Sequence, residues 1–201
     1  MAKRSFDLLF SVFGLLLLWP LFLLAWLTIK LDDGGPALFR QIRIGQNGRP
    51  FRILKFRSMR IDLHENGPNI TATGDVRITR AGQWLRHSKV DELPQLWNVL
   101  RGDMSFVGPR PEVPRYVDLY SRDQRAVLDL RPGITDEASI EFRDEEKLLA
   151  AASDPEQFYI EYCMPRKIAL NLTYAQRANL SRDLGVILRT VSRVWLCPSS
   201  R

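Results

Sequence analysis

Two adjacent carboxylates, Asp91 and Glu92, are the residues of this 201-residue sequence whose type and spacing best suit catalysis. Ser88 stands three positions before Asp91 and resembles the start of a capping box, which predicts a helix with both carboxylates in its first turn. Unpaired N–H groups and the dipole at a helix N-terminus favour negative charge, so we expect both side chains to be ionised. An ionised carboxylate can attack phosphorus or bind Mg²⁺.

Helix capping is the simpler explanation of the same pair, because acidic residues in a first helical turn usually do no more than that. The next residues predict that the turn packs on a core, since apolar side chains recur at helical spacing: Leu93, Leu96, Trp97 and Leu100. The segment ends in Gly108-Pro-Arg-Pro111, a rigid turn that would fix the direction of Arg110. Residue types alone leave capping and catalysis both open.

The whole string from Ser88 to Glu112, SKVDELPQLWNVLRGDMSFVGPRPE, resembles the signature of the bacterial sugar transferases, the monotopic phosphoglycosyl transferases. Lys-Phe-Arg-Ser-Met at 55–59 and Arg-Pro-Gly-Ile-Thr at 131–135 match two further motifs of that family. The resemblance implies that Asp91 and Glu92 are the catalytic dyad and that Glu92, with Asp91, holds Mg²⁺. The cations expected to bind substrate phosphates are Lys55, Arg57, Arg86 and Arg110.

The reaction implied by the resemblance transfers a sugar-1-phosphate from a UDP-sugar to a polyprenyl phosphate such as undecaprenyl phosphate, with UMP as the second product. Asp91 would attack the β-phosphorus and form a covalent phosphosugar intermediate. We expect the small catalytic-core form of the family, at the bacterial inner membrane with its active site on the cytoplasmic face. The alternative is a Mg²⁺-dependent phosphotransferase or hydrolase on a single-span anchor. The UDP-sugar, the glycan pathway and the existence of a homodimer are left open.

The charge balance restricts the partners only coarsely. Lys and Arg number 29 against 23 Asp and Glu, and a net charge of +6 suits a membrane surface, nucleic acid or phosphorylated substrates. No motif that reads nucleic acid is present in the sequence, so we rank that partner last. Two cysteines and two histidines lie too far apart in sequence to predict a zinc site: Cys163, Cys197, His64 and His87.

An apolar segment must place this site at a membrane if the resemblance holds. Leu8 to Ile29 contains no charged residue and is long enough to cross a bilayer. Pro20, near its midpoint, removes a helix hydrogen bond and is expected to bend the axis. Lys3 and Arg4 precede the segment and Lys30 follows it, so positive charge does not assign its ends to opposite sides.

A kinked single span and a re-entrant helix are equally compatible with this pattern, and the resemblance favours re-entry. Trp19 stands before Pro20 where relatives commonly have Ser, a departure that removes a hydroxyl able to bond to the freed carbonyls. The predicted fold is therefore a membrane-associated α+β fold. Residues 1–36 would form the re-entrant membrane helix and hinge, and residues 37–201 a cytoplasm-facing, mostly helical catalytic domain with interfacial amphipathic helices.

The catalytic domain is expected to begin with a small β-hairpin. Strand-like runs at about 37–44 and 49–56 are joined by Gly45-Gln-Asn-Gly48. Every charged residue from Arg40 to Arg60 is basic, so this face would meet lipid head groups or substrate phosphates. Residues 62–74 predict a loop and residues 75–86 a helix, with Arg77 and Arg80 as ordinary surface charges.

The C-terminal half is expected to be helical. Residues 113–130 predict a surface helix, and Ser153 to Glu156 resembles a capping box for a helix that Pro165 ends. Asp136 and Glu137 replace the Gly-Trp of many relatives, and would contact sugar hydroxyls or cap the next turn. A last amphipathic stripe would lie in the membrane interface or pack on the core: Leu180, Leu184, Ile187, Leu188, Val191 and Trp195.

Overall fold

The computed structural model describes residues 2–60 and 74–195, and side chains as far as residue 192. The helices are α1 (Ala2–Leu17), α2 (Trp19–Asp33), α3 (Arg80–His87), α4 (Gln95–Arg101), α5 (Pro114–Val117), α6 (Glu137–Glu141), α7 (Glu145–Ala151), α8 (Pro155–Phe158), α9 (Met164–Ala175) and α10 (Leu180–Trp195). The strands are β1 (Leu38–Ile44), β2 (Pro50–Phe56), β3 (Ser105–Val107) and β4 (Gly133–Thr135). The predicted α+β, mostly helical fold is confirmed. The loop predicted at 62–74 lies outside the described residues except for its last position.

The apolar segment forms two helices, α1 and α2, that meet at Leu18 with a bend of 59°. Pro20 lies in the first turn of α2, where its missing N–H interrupts the helical ladder. The bend predicted at this proline is therefore confirmed. Within the described residues neither helix is long and apolar enough to cross a membrane alone, whereas the bent pair has the necessary length and composition.

The start of α1 is bound to the body of the protein. The Arg4 guanidinium donates to the carbonyl oxygens of Val99 and Leu100 at 2.6 and 2.9 Å, and these carbonyls belong to the last turn of α4. A cation suits that position, because the carbonyls at a helix C-terminus lack helical partners. Lys3 forms an ion pair with Asp183 of α10. The N-terminal end of the apolar pair is thus fixed to two helices of the domain.

The end of α2 is bound to the same domain. Asp32 accepts a hydrogen bond from the Ala81 N–H of α3 at 3.0 Å, and Asp33 forms an ion pair with Arg57. The Arg57 Nε also donates to the Pro36 carbonyl oxygen at 2.6 Å, and its side chain is buried. The guanidinium of Arg57 thus closes the hinge after α2, because an acidic partner lies in that helix. Its contact with substrate phosphates stays a prediction. The domain boundary at residue 36 stays a prediction.

The predicted hairpin is confirmed. Strands β1 and β2 pair antiparallel from Leu38 with Phe56 to Ile44 with Pro50, and a 3₁₀ turn at Gln46–Gly48 joins them. Side chains alternate between the two faces of a strand, so Arg43 and Lys55 share one face of this hairpin. The hairpin therefore presents these two cations to the interior of the domain.

Three expectations for the C-terminal half are wrong. Residues 113–130 form the short helix α5 and a 3₁₀ turn at Gln124–Asp129 rather than one surface helix. Asp154, not Ser153, caps α8, since its carboxylate accepts the N–H groups of residues 156 and 157 at 3.0 Å. Pro165 does not end that helix. A π-helical turn at Tyr159–Cys163 precedes it and leads directly into α9, which is how a helix accommodates a residue without an N–H.

The last helix, α10, buries only part of its predicted apolar stripe. Ile187 packs against a core cluster that contains Val186, whereas Leu184, Leu188 and Val191 are exposed. The side chain of Trp195 lies outside the described residues. Core packing therefore explains only part of the stripe, and an interfacial position remains the prediction for the exposed part.

Candidate active site

The turn that carries the carboxylates connects α3 to α4. Ser88 ends α3, since its hydroxyl donates to the Trp84 carbonyl oxygen at 2.8 Å, so the predicted capping role of Ser88 is wrong. Lys89 follows with φ 57°, a left-handed conformation that is costly for a residue with a side chain. This reversal separates the carboxylates from α3 and places them in a short 3₁₀ turn, Val90–Glu92.

Asp91 is buried, and one of its carboxylate oxygens has no hydrogen-bond partner in the part of the chain that the structure describes. Its side chain is 6% exposed, and the Oδ1 atom has no hydrogen-bond partner among the described residues. Burial, and then the charge of Glu92, raise the pKa of Asp91 to about 6. A carboxylate that is ionised at neutral pH but poorly solvated is a stronger nucleophile and a better metal ligand than one held by hydrogen bonds.

Glu92 has the opposite environment. Lys55 Nζ lies 3.2 Å from its Oε1 atom, and Arg110 Nη2 lies 2.6 Å from the same oxygen. Burial alone would raise the pKa of Glu92, but Arg110 and Lys55 hold it well below its usual range. Burial also lowers the pKa of Lys55 to about 8. The structure therefore brings Lys55 and Arg110 to the dyad, where they fix Glu92 as an anion.

Arg110 reaches Glu92 because two glycines allow a close crossing. Strands β3 and β4 run parallel, and Gly108 and Gly133 lie so close that a Cβ at Gly133 would overlap the Gly108 backbone. The Arg110 N–H donates to Asp136 Oδ2 at 3.1 Å. The guanidinium remains 41% exposed and so stays accessible to a ligand.

Asp136 and Glu137 have structural partners, which favours the capping alternative. Asp136 caps α6 by accepting the Ser139 N–H at 2.6 Å, and it also accepts the Asn171 amide at 2.9 Å. Glu137 forms ion pairs with Arg182 and with Arg189 of α10. These bonds hold the turn that positions Arg110.

The two other predicted phosphate-binding residues do not contact the dyad. Arg57 bonds to Asp33, as described above, and Arg86 forms an ion pair with Glu146 of α7. Arg77 was expected to be a surface charge, but it is buried and bonds to Asp75 at 2.6 Å. Arg80 is exposed, as expected.

The sequence analysis did not predict two features of this region. Arg43 donates to the Pro111 carbonyl oxygen at 3.2 Å and to Glu112 at 3.3 Å, while Tyr159 donates to the same carboxylate. This cluster fixes the end of the Gly108–Pro111 turn. Gln95 is the other: it is 1% exposed, and its Nε2 has no partner among the described residues.

Because the Gln95 amide is buried without a partner in the described part of the chain, replacing it with an apolar residue should stabilise the protein. Because a buried donor without a partner costs about 1–3 kcal/mol, Gln95→Leu should raise the free energy of unfolding by about 1 kcal/mol. Thermal unfolding of the detergent-solubilised protein measures this. Asn98 is the matched control: it bonds to the backbone of β2, so Asn98→Leu should lower the stability. A loss of stability in Gln95→Leu would mean that the amide is satisfied.

The residues of the dyad fit a magnesium ion. Mg²⁺ prefers oxygen ligands and is commonly held by one or two carboxylates, with substrate phosphates and water completing its shell. The unpartnered Oδ1 atom of Asp91 is such a ligand, and Glu92 adjoins it. The described residues contain no group of three or more His, Cys, Asp or Glu side chains that could enclose a metal alone.

The close crossing at Gly133 yields a further prediction. Gly133→Ala should lower the free energy of unfolding by more than about 2 kcal/mol and displace Arg110, since the new Cβ would overlap backbone atoms that cannot rotate away. Gly185→Ala is the matched control: a Cβ there meets nothing within 4 Å, and alanine in a helix should stabilise by about 0.5–1 kcal/mol. Thermal unfolding compares the stability of the two variants. Equal effects of Gly133→Ala and Gly185→Ala would contradict the close approach of the Gly108 and Gly133 backbones.

The structure thus places two buried carboxylates, with Lys55 and Arg110 bonded to one of them, in a domain that carries an apolar helix pair. A family model described as bacterial sugar transferase matches residues 1–196. The chain therefore belongs to the bacterial sugar transferase family, and it is a transferase.

Three relatives show what this chain is similar to. It is 42% identical over 196 residues to the UDP-glucose:undecaprenyl-phosphate glucose-1-phosphate transferase of Caulobacter vibrioides, covering 95% of this chain and 68% of that protein. It is 40% identical to the undecaprenyl-phosphate glucose phosphotransferase of Komagataeibacter xylinus, and 35% to the UDP-N-acetylgalactosamine-undecaprenyl-phosphate N-acetylgalactosaminephosphotransferase of Aeromonas hydrophila. Each match covers 96% of this chain, which spans 36% and 43% of those two proteins.

Proposed function

We propose that this enzyme transfers a sugar-1-phosphate from a UDP-sugar to undecaprenyl phosphate. The observation that carries the proposal is the buried Asp91 oxygen without a partner, beside a Glu92 whose charge Lys55 and Arg110 neutralise. The names of the relatives support the same donor and acceptor classes.

The proposed chemistry has two displacements at one phosphorus. An Asp91 carboxylate oxygen attacks the β-phosphorus of the UDP-sugar, the bond from that phosphorus to the bridging oxygen breaks, and UMP leaves with the electron pair. An oxygen of undecaprenyl phosphate then attacks the phosphorus of the aspartyl phosphosugar. The bond to Asp91 breaks, which releases undecaprenyl-diphosphate sugar and restores the carboxylate.

Each neighbour of Asp91 has a role in this scheme. Arg110 is exposed enough to bind the diphosphate while it remains bonded to Glu92, and a guanidinium suits that geometry. Lys55 holds Glu92 in place from the hairpin. When bound to Asp91 and Glu92, Mg²⁺ would supply positive charge that neutralises the diphosphate and the leaving group.

We also propose that α1 and α2 enter and leave the membrane on one side, which places the dyad at the cytoplasmic face of the bacterial inner membrane. Lys3 and Arg4 at one end, and Asp32 and Asp33 at the other, all bond to the same domain. A single span would carry its ends to opposite sides. Both helices expose large apolar side chains away from the domain, among them Leu9, Phe13, Leu16, Leu17, Leu23 and Leu31.

Release of UMP by the purified protein in detergent tests the proposed reaction. The assay contains Mg²⁺, undecaprenyl phosphate and a panel of UDP-sugars, with UDP-glucose and UDP-N-acetylgalactosamine first because they are the donors in the names of relatives. Release that requires the lipid phosphate supports the transferase and identifies the sugar. Release without lipid would instead indicate a hydrolase.

A further inference from the structure

Gln95 is a buried polar side chain that the proposed chemistry does not use. It is 1% exposed, and its Nε2 donor has no hydrogen-bond partner among the described residues. Buried amides nearly always have a partner, because leaving one unpaired costs free energy. The Oδ1 acceptor of Asp91, four positions earlier, is also unpartnered in the part of the chain that the structure describes. This combination of a buried donor and a buried acceptor is expected of a site whose partners arrive with a ligand.

Helix geometry places the Gln95 side chain next to the dyad. The two residues between the dyad and Gln95 have right-handed helical backbone angles, so the 3₁₀ turn Val90–Glu92 continues into α4. Residues three and four apart are neighbours on such a helix, and long helical side chains lean back toward its N-terminus. Gln95 follows Glu92 by three positions and Asp91 by four. Its side chain therefore extends back over the turn that carries both carboxylates.

Contacts with strand β2 locate Gln95 independently. Glu92 bonds to Lys55 of β2 at 3.2 Å. One turn beyond Gln95, the Asn98 amide oxygen accepts the Leu54 N–H of the same strand at 3.0 Å. Gln95 lies between these two contacts along the helix, so its amide belongs to the wall that β2 and the dyad share.

The Gln95 amide is a hydrogen-bond donor that neither carboxylate occupies. Lys55 and Arg110 both bond to Glu92. A neutral amide is attracted to a carboxylate less strongly than a cation is, and among the described residues this one bonds to neither. The nonbridging oxygens of a phosphate are strong acceptors, and a phosphorus that Asp91 attacks brings one of them close to a neighbouring donor. A donor that is in place before the substrate arrives needs no rearrangement when it binds.

We propose that Gln95 binds the β-phosphate of the nucleotide donor, with its amide N–H donating to a nonbridging oxygen of the phosphorus that Asp91 attacks. The inference rests on the proposed function and adds a substrate-binding residue to it. The bond holds this phosphorus against the Asp91 oxygen in the donor complex and, after UMP leaves, in the aspartyl phosphosugar. Gln95 therefore contributes to the affinity for a nucleoside diphosphate and not to the affinity for a monophosphate.

Calorimetric titration with UDP and with UMP tests this contact without turnover, because only UDP has a β-phosphate. The detergent-solubilised protein is titrated with Mg²⁺ present as wild type, Gln95→Leu and Gln95→Met, since methionine is unbranched like glutamine and lacks its donors. Loss of one hydrogen bond to a phosphate should weaken binding of UDP by about tenfold in both variants and leave binding of UMP within about twofold. Trp97→Phe, at an exposed position of the same helix, is the matched control and should bind both nucleotides as the wild type does.

The outcomes separate failure of this contact from failure of the proposed reaction. Unchanged affinity for UDP in both Gln95 variants, or equal losses for UDP and UMP, would overturn the contact. Wild-type protein that binds UDP no more tightly than UMP would overturn both the contact and the attack on the β-phosphorus. A selective loss of UDP affinity, in a protein without lipid-dependent UMP release, would support the contact and refute the transferase. Because Gln95→Leu is expected to stabilise the protein, failure of both variants to fold would also refute the inference.

Discussion

Asp91→Asn should abolish lipid-dependent UMP release while leaving the protein folded and no less stable than the wild type. Removal of a catalytic nucleophile typically lowers the rate by at least about 10³-fold, because binding and electrostatic groups alone retain little activity. The amide of asparagine has nearly the shape of the carboxylate, so the buried position remains filled. The assay is UMP release by both proteins side by side with Mg²⁺ and undecaprenyl phosphate.

The stability of the same variant has a defined dependence on pH. A pKa raised from 3.8 to about 6 means that ionised Asp91 destabilises the folded state by about 3 kcal/mol at neutral pH. This penalty is small at pH 4 and below, where the folded carboxyl group is protonated and the unfolded one is at least partly protonated. It grows as the pH rises from about 4 to 6 and is complete above pH 6. Asp91→Asn should therefore unfold at a higher temperature than the wild type at pH 7.5, and at nearly the same temperature at pH 4.

The unfolding temperatures are measured in the presence of EDTA, so that no bound metal ion contributes to the difference between wild type and Asp91→Asn. Asp103→Asn is a control, since that carboxylate lies near Arg101 and is not part of the dyad. Equal UMP release by Asp91→Asn and wild type would exclude Asp91 as the nucleophile. If Asp91→Asn were less stable than the wild type at pH 7.5, the Asp91 carboxylate would have to be stabilised by a partner in the folded protein.

Glu92→Gln should also abolish activity, but with the opposite effect on stability. Glu92 is the shared partner of Lys55 and Arg110, and its loss leaves a buried ammonium group without an anion. Breaking a buried ion pair from one side usually costs about 3–5 kcal/mol. Thermal and denaturant unfolding should therefore show a large loss for Glu92→Gln. Two carboxylates that adjoin in sequence are thus expected to change the stability in opposite directions.

A second substitution separates the charge effect from a general disturbance of the site. Glu92→Gln combined with Lys55→Met removes the more buried of the two cations, so it should recover much of the lost stability without restoring UMP release. A single Glu92→Gln variant as stable as the wild type would contradict the proposed clamp. Recovery of activity in the double variant would contradict a role for Glu92 in metal or substrate binding.

The parts of the fold that sequence could predict are those encoded by local patterns. Two strand-like runs around Gly45–Gly48 predicted the hairpin, and a proline within an apolar segment predicted the bend between α1 and α2. The family signature predicted that the site is centred on the turn at 88–92, and the predicted helical context of this turn was wrong. A serine three residues before an aspartate has the same spacing whether it begins one helix or ends another, and only the tertiary structure distinguishes the two.

The parts that could not be predicted depend mainly on partners distant in sequence. The bond of Arg57 to Asp33, at the end of α2, had no local signal. The contrast between Asp91 and Glu92 is of the same kind, because it requires Lys55 from β2 and Arg110 from the turn after β3. The sequence around two adjacent carboxylates does not indicate that one will be paired with cations and the other will not.

The ion pair between Lys3 and Asp183 joins residues 180 positions apart in the chain. During synthesis the apolar pair emerges before the helix that holds Asp183. Such a long-range closure carries a high cost in chain entropy and comes late in folding. The start of α1 therefore cannot form this ion pair until α10 has been made. In the proposed membrane placement, this order lets the apolar pair enter the bilayer before α10 binds its N-terminal end.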